Sequence, residues 1–292
     1  MSNPSQFVHT VGNKEFRTGL IAPDKIDTTY ASYPPVKLLD LSDLKKLYAA
    51  KGRKAAWDLY KRRKQQGRKS SCAAYGGTTC CEIKNVFDRK DDVEFGPEHL
   101  YARVNDGQDH GATLGSIMRE LLKGGCCLRE SVPYQVHTLD SMSMEEKRFA
   151  NQEGKKYRPL DWLKMPHSSP DKCWQATLSA IANRDPVLMA VHCGDGFFSC
   201  DSKGNARVDQ GMGNHAVCGA ELVGVESAGS LRDIKIWTVN SHGDEYGANG
   251  CYLHTYDHMI QPSQVHEHCS CCLLYTSPSA RDGLLSRMPS SA

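Results

Sequence analysis

The chain changes character near Pro186, and this change limits the folds that it can adopt. Upstream of Pro186, apolar residues recur at three- and four-residue intervals, as they do on the buried face of a helix. Downstream, short apolar runs are separated by glycine-rich turns, as they are in antiparallel strands. Helices followed by strands are typical of an α+β fold, here with a helical half, a β-sheet or barrel half and a cleft between them.

The elements can be placed approximately along the sequence. A long helix is predicted from 40 to 65 with Ser42 as its N-cap, and another begins at Cys72 and extends towards 86. Further helices are predicted at 97–104, 112–123 and 172–183, and strands at 187–191, 215–225, 234–239 and 250–256. These elements divide the chain into an N-terminal extension with a basic helix (1–65), a main domain (66–272) and a tail (273–292). Within the main domain, the helical part covers about 66–135 and the β part about 136–272.

The tail differs from the rest of the chain. Residues 273–292 are rich in Ser and Pro and show no periodicity. They resemble the translation of vector or adaptor DNA, so we expect a non-native, disordered segment that takes no part in the fold.

Charge is balanced overall but not along the chain. The formal net charge is +2, whereas the stretch 51–69 holds nine basic residues and a single acid, Asp58. Such a run is more often a solvated helix face than a surface for nucleic acid or an acidic partner, although that second reading stays open. No apolar run reaches the roughly 18–20 residues that cross a bilayer, and the polar N-terminus lacks a secretory signal. We therefore expect no membrane association, a cytoplasmic location, and a phage or bacterial origin suggested by the resemblance given below.

Thirteen cysteines are present, and most are predicted to be reduced thiols. Two adjacent pairs, Cys80-Cys81 and Cys126-Cys127, fit poorly with the geometry of a disulfide scaffold. The cluster 266–272 contains residue types that suit zinc, but it lacks two well-separated ligand pairs. We expect neither a metal site nor a cofactor.

Cys72 is the first candidate for chemistry. It stands at a predicted helix start, where backbone N–H groups and the helix dipole favour the nucleophilic thiolate. Gln66 lies six residues upstream, and its amide together with the Cys72 N–H is suited to hold an oxyanion. Gln65 is the less favoured donor because its interval to the cysteine is longer. Taken alone, such a cysteine is more often a buried structural thiol.

Two later residues supply what a cysteine nucleophile requires. His215 begins an apolar strand after a glycine-rich turn, and Asn240 ends the next strand. A histidine can act as the base, and an asparagine can orient its ring. The ordered set Cys72, His215 and Asn240 is far more specific than any one of these residues.

These residues resemble the papain family of cysteine peptidases. His215 follows Cys72 by 143 residues (215 − 72) and Asn240 follows it by 168 (240 − 72), against roughly 130–150 in the family. The glycine-containing stretch 105–112, the "Gly…Pro-Tyr" passage 124–134 and the strand 186–191 are also similar to family segments. The resemblance covers about 66 to 256, and it is nearer to phage and bacterial members than to plant or lysosomal ones.

The resemblance implies a two-subdomain peptidase that cleaves peptides or proteins. Cys72 would be the nucleophile, His215 the base, Asn240 its orienting partner and Gln66 an oxyanion donor. The resemblance alone implies that Gly111, Ala112 and Met189 line the substrate cleft. Nucleic acid is an unexpected partner, and the sequence does not define the oligomeric state.

Three positions depart from the family pattern. Ala73 and His242 stand where a tryptophan is usual, and Lys69 stands where many members have a disulfide cysteine. Because of the missing tryptophans, a catalytically inactive papain-like binding protein remains the alternative to an active peptidase.

Overall fold

The computed structural model describes residues 7–11, 14–20, 38–105, 107–132, 142–159, 161–166, 169–208, 213–260 and 268–270. Two sequence predictions fall wholly or largely outside this part: the tail at 273–292 lies outside it, and of the cluster 266–272 only 268–270 lies within it.

Nine α-helices are found in the described part of the chain. They are α1 (Leu41–Tyr48), α2 (Ala56–Leu59), α3 (Cys72–Arg89), α4 (Pro97–Ala102), α5 (Leu114–Gly124), α6 (Met144–Gly154), α7 (Pro170–Ala182), α8 (Asp195–Phe198) and α9 (Tyr256–Met259). The prediction of a helix that starts at Cys72 is confirmed. The C-cap residue of α3 is Lys90, which adopts a left-handed conformation. α6 was not predicted, although a full capping box at Ser143 and Glu146 marks its start.

The strands form a hairpin and an antiparallel sheet. The hairpin consists of β1 (Phe7–Val11) and β2 (Lys14–Thr18). The sheet contains β3 (Leu163–Lys164), β4 (Val187–Cys193), β5 (Gly213–Val223), β6 (Lys235–Val239), β7 (Cys251–His254) and β8 (His268–Ser270), in the order β3-β8-β4-β5-β6-β7. Helices in the first half and an antiparallel sheet in the second confirm the α+β prediction.

Apolar residues form two main clusters, one on each side of β4 and β5. Leu188 and Ala190 belong to the cluster that surrounds α3, whereas Val187, Met189 and Val191 belong to the cluster around α7. This division follows from the alternation of side chains along a strand. Helix α3 is therefore a central buried helix that packs against the sheet.

Two glycines allow α3 to approach its neighbours closely, one towards the sheet and one towards α5. A Cβ atom at Gly76 would lie 2.6 Å from Leu188 Cδ1 on β4, and one at Gly77 would lie 2.8 Å from Ile117 Cγ2 on α5. A side chain at Gly76 would push the helix away from the sheet, and with it the residue at the helix start.

We expect Gly76→Val to destabilise the fold by about 1–3 kcal/mol, the usual cost of overpacking a core. The reason is the 2.6 Å approach of Leu188, which leaves no room for a larger side chain. Chemical denaturation of wild type and variant measures the difference. Gly115→Val on α5, where the nearest atom to a new Cβ is 3.8 Å away, is the matched control. Equal stability of the Gly76 and Gly115 variants would contradict the tight contact.

The predicted helix at 40–65 is wrong in its extent. α1 ends at Tyr48 and α2 spans only Ala56–Leu59, with a turn between them in which Gly52 has a φ of 81°. The N-cap is Asp40, whose side chain accepts a hydrogen bond from the Asp43 amide, and Ser42 lies inside the helix. The glycine interrupts what reads as one continuous apolar pattern.

The basic residues of 51–69 do not form one solvated face. Lys64 is buried and lies 2.6 Å from the carboxylate of Glu82, and Arg53 lies 3.2 Å from the buried carboxylate of Glu221. Several of these cations therefore fix the segment to α3 and β5. Among the described residues, no helix is long and apolar enough to cross a membrane.

Candidate active site

Cys72 is the first residue of α3 and is fully buried. Its thiol lies near the backbone of Ala216, the residue that follows His215, and near its own amide and that of Ala73. The helix start thus directs unpaired backbone N–H groups at the sulfur, as the sequence predicted. The proximity to Ala216 brings the cysteine and the strand that carries the histidine together.

His215 and Asn240 meet at one end of neighbouring strands. β5 and β6 run antiparallel with Cys218 opposite Val239, so the start of one strand and the end of the other lie side by side. His215 Nε2 lies 2.7 Å from Asn240 Oδ1. The same oxygen accepts a hydrogen bond from the Ser241 amide at 2.8 Å, which identifies it as the amide oxygen and fixes its direction.

The geometry of this pair defines the histidine tautomer. Because Asn240 Oδ1 accepts, His215 Nε2 must donate, and in the neutral ring Nδ1 is then the basic nitrogen. Nδ1 is buried and has no hydrogen-bond partner in the described part of the chain. A buried basic nitrogen that points away from the orienting asparagine is the arrangement that a general base requires.

Gln66 is held by the segment that follows Asn240. The Gln66 amide donates to Ser241 O at 2.9 Å, and Ser241 Oγ donates to Gln66 Oε1 at 2.5 Å. Its Nε2 donates one hydrogen to Lys69 O at 2.7 Å. The side chain is therefore oriented with its nitrogen towards the loop that leads to Cys72.

Gly111 and Ala112 lie beside a segment from the N-terminal region. Ala112 N donates to Gly19 O at 3.0 Å, and Leu20 forms a parallel bridge with Ala112. A Cβ atom at Gly111 would lie 1.9 Å from Gly19 O, and one at Gly19 would lie 2.2 Å from Ser70 Cβ. Gly19 therefore lies in close contact with both Ser70 and Gly111, and it contributes to the burial of Cys72.

A small network fixes the loop that carries Gly111. Asp109 Oδ1 accepts hydrogen bonds from Ser70 N and Tyr101 Oη, both at 2.8 Å. Tyr101 Oη lies 3.0 Å from Gly111 N, from which it accepts. Sequence reasoning missed Asp109 and Tyr101, although Asp109 lies within the glycine-containing stretch that the resemblance singled out.

The ionisation of the site differs from the expectation for an open helix start. Burial raises the pKa of Cys72 above its ordinary value, although backbone hydrogen bonds from Gly19 and Ala216 act in the opposite direction. Burial also lowers the pKa of His215 to about 4, and the bond to Asn240 only partly offsets this. Burial of both groups therefore opposes the charged forms of the thiol and the imidazole.

Met189 does not lie with the other candidate residues. Its side chain is fully buried in the cluster around α7, together with Val217 and Ile236. Ala190, one residue later, belongs to the cluster that holds Cys72 and Ala112, and Ala216 opposite it does so too. Because neighbours on a strand face opposite sides, Ala190, and not Met189, lies on the same side of the sheet as Cys72.

The described residues contain no group of three or more His, Cys, Asp or Glu side chains arranged to hold a metal ion. None of the ten cysteines described between Cys72 and Cys251 forms a disulfide. The fold brings together the thiol of Cys72, the imidazole of His215 and the amides of Asn240 and Gln66.

Comparison with known proteins identifies the fold. No protein-family model matches the chain, and no curated protein matches it by sequence. The solved structure of xylellain, a cysteine protease from Xylella fastidiosa, matches with a TM-score of 0.63 and 18% identity over 88% of this chain and 96% of that one. Procathepsin L2 proteinase from Tenebrio molitor larval midgut matches with a TM-score of 0.61 and 18% identity, over 88% of this chain and 78% of that one. Procathepsin B S9 from Trypanosoma congolense matches with a TM-score of 0.61 and 11% identity, over 89% of this chain and 87% of that one.

Proposed function

The chain has the two-part fold of papain-like cysteine proteases, and we propose that it is itself a cysteine peptidase that hydrolyses peptide bonds. The observation that carries the proposal is the 2.7 Å contact between His215 Nε2 and Asn240 Oδ1. This contact leaves Nδ1 of His215 as the basic nitrogen. The next residue on the strand is Ala216, whose backbone lies near the Cys72 thiol. The comparison proteins support the reaction class, since each is described as a protease or a proprotease form.

In the proposed reaction, His215 Nδ1 takes the proton of the Cys72 thiol, and the thiolate attacks the carbonyl carbon of a peptide bond. The Cys72 N–H and the Gln66 amide donate to the oxyanion of the tetrahedral intermediate. His215 then returns the proton to the leaving amine, and a thioester forms on Cys72. A water molecule, deprotonated by His215, hydrolyses the thioester and releases the acid.

Asn240 acts through the ring of His215. Its Oδ1 accepts from Nε2 in the neutral ring and in the imidazolium, so the ring keeps its orientation through both proton transfers. Ser241 holds this oxygen through its amide and holds Gln66 through its hydroxyl. One short segment therefore positions both the orienting group and the oxyanion donor.

The substrate class follows from the reaction and from the cleft. Peptides or proteins are the proposed substrates, with Gly111 and Ala112 as the backbone edge on which an extended chain would pair, as Gly19 and Leu20 do. Ala190 and Ala216 replace Met189 as the proposed contacts on the opposite wall.

A peptidyl epoxide, which alkylates catalytic thiolates, tests the proposal and separates an active peptidase from an inactive binding protein. We expect one equivalent of label under reducing conditions, located on Cys72 by peptide mapping, together with loss of cleavage of a mixed peptide library. Partly exposed Cys200 is the internal control, because general thiol reactivity would label it before the buried thiols of the described residues. Label on Cys200 without label on Cys72, in a chain that cleaves no peptide, would overturn the proposal.

A further inference from the structure

His242 lies against the face of the His215 ring. The two ring centroids are 4.8 Å apart and the ring planes differ by 9°, which is a stacked arrangement. Both rings are buried. Most of one face of the base is therefore covered by a second imidazole, at the position where the papain family usually has a tryptophan.

The backbone of His242 is held by hydrogen bonds to the segment that contains Gln66, the proposed oxyanion donor. Gln65 and His242 form an antiparallel bridge, and Gln65 Nε2 donates to His242 O at 3.3 Å. Gly243 N donates to Lys64 O at 2.9 Å. The 64–66 segment and the 241–243 segment thus pair along their backbones, which leaves little freedom for the ring to leave the stack.

The ring of His242 is also held by aromatic neighbours. Phe198 of α8 packs against it with centroids 5.8 Å apart, and Tyr246 packs edge-on at 6.2 Å. His215 in turn contacts Phe197 at 5.8 Å. The His215 ring therefore contacts both His242 and Phe197, and these two contacts oppose rotation about its Cβ–Cγ bond.

An imidazole differs from an indole in one respect that matters here, because it can take up a proton. Of the described residues that contact His242 in the stack and the backbone bridge, His215 on β5 and the Tyr246 phenol titrate, whereas Phe198 and Gln65 do not. Burial, and next the charge on His215, hold the pKa of His242 well below its ordinary value. A proton on His242 is therefore disfavoured while His215 carries the imidazolium charge of the proposed reaction cycle.

We propose that His242 is a positioning residue that keeps the His215 ring aligned with Asn240 by stacking, and that its own protonation sets a limit to activity at acid pH. The proposal rests on the peptidase function proposed above. Two charged imidazoles 4.8 Å apart repel each other in a buried site, so a proton on His242 breaks the stack and releases the base.

The first test is a pair of substitutions in the full chain. His242→Ala removes the stacked ring, and we expect kcat to fall by about tenfold or more with little change in KM, because the base is no longer held in position. His242→Phe restores an uncharged ring that cannot be protonated, and we expect kcat at neutral pH to return to within about twofold of wild type. Thermal unfolding of each variant verifies that it folds.

The second test is the pH profile of kcat/KM. We expect the acid limb of His242→Phe to lie at lower pH than that of wild type, because the proton that breaks the stack has no place to bind. His258→Phe is the matched control, since His258 is also buried and stacks on a histidine, His254, at 5.3 Å. It should leave the acid limb unchanged. Coincident acid limbs in wild type and His242→Phe, with kcat unchanged in His242→Ala, would overturn the proposal.

A third measurement does not depend on activity. Nitrogen-15 NMR of histidine-labelled protein reports the tautomer of His215, which we expect to carry its proton on Nε2 in wild type and His242→Phe. In His242→Ala we expect a mixture of tautomers. A single tautomer in all three proteins would overturn the positioning role. Absence of cleavage by wild type with the expected tautomers would instead count against the peptidase function alone.

Discussion

Cys72→Ala is expected to lower kcat for peptide cleavage by about 10⁶-fold, the order of loss seen when the nucleophile of a comparable hydrolase is removed. The reason is that no other described thiol stands at a helix start beside the strand that carries His215. The measurement is the cleavage rate of a fluorogenic peptide under reducing conditions, with the substrate chosen from the peptide library.

Two further variants make this result specific. Gln66→Ala removes one oxyanion donor and leaves the nucleophile in place, so we expect a smaller loss of about 10²–10³. Cys173→Ala, in a buried thiol of α7 that belongs to the other apolar cluster, should leave the rate nearly unchanged. Cleavage by Cys72→Ala at the wild-type rate would remove the assignment of the nucleophile.

Gly19→Ala is expected to raise kcat/KM by about tenfold or more. The reason is that the segment of Gly19 and Leu20 occupies the proposed substrate cleft beside Gly111 and Ala112. When a cleft is occupied in most molecules, only the fraction of molecules with an open cleft binds substrate, and the apparent affinity is lower in proportion. The new Cβ would lie 2.2 Å from Ser70 Cβ and close to the Ser70 backbone, so the segment cannot keep its place between Ser70 and Gly111. The rate of epoxide labelling at Cys72 should rise in parallel, because the thiol, which is fully buried in this structure, becomes accessible to the reagent.

The matched control for this variant is Gly115→Ala, the same substitution where a new Cβ has 3.8 Å of free space. It should change neither the cleavage rate nor the labelling rate. If Gly19→Ala is also indistinguishable from wild type in both, the segment does not block the cleft in solution.

The fold class and the candidate site residues were indicated by the sequence for different reasons. Periodicity of 3.6 and of 2 indicated the helices and strands, and Cys72, His215 and Asn240 each stood at the end or start of such an element. The strand register and the packing that bring these three residues together could not be predicted from the sequence. They depend on the antiparallel pairing of β5 with β6 and on the close contact of Gly76 with Leu188, which are long-range packing facts.

Other errors have local causes. The apolar pattern of 40–65 continued through Gly52, where the backbone turns, so two helices read as one. Met189 was chosen one position away from Ala190, and a shift of one residue on a strand exchanges the two faces of the sheet. The cover over Cys72 could not be predicted, because residues 1–38 show no periodicity and the contact of Gly19 with Ala112 spans more than ninety residues.

The backbone pairing of 64–66 with 241–243 has a consequence for anyone who rebuilds this protein. Gln66, the proposed oxyanion donor, and His242, the stacked imidazole, lie in these two paired segments, and Asn240 directly precedes the second of them. A chimera that takes its first half from one homologue and its second from another would therefore have to inherit both paired segments from the same parent. Two halves that each fold well, but whose paired segments do not match, would give a stable protein without a working active site.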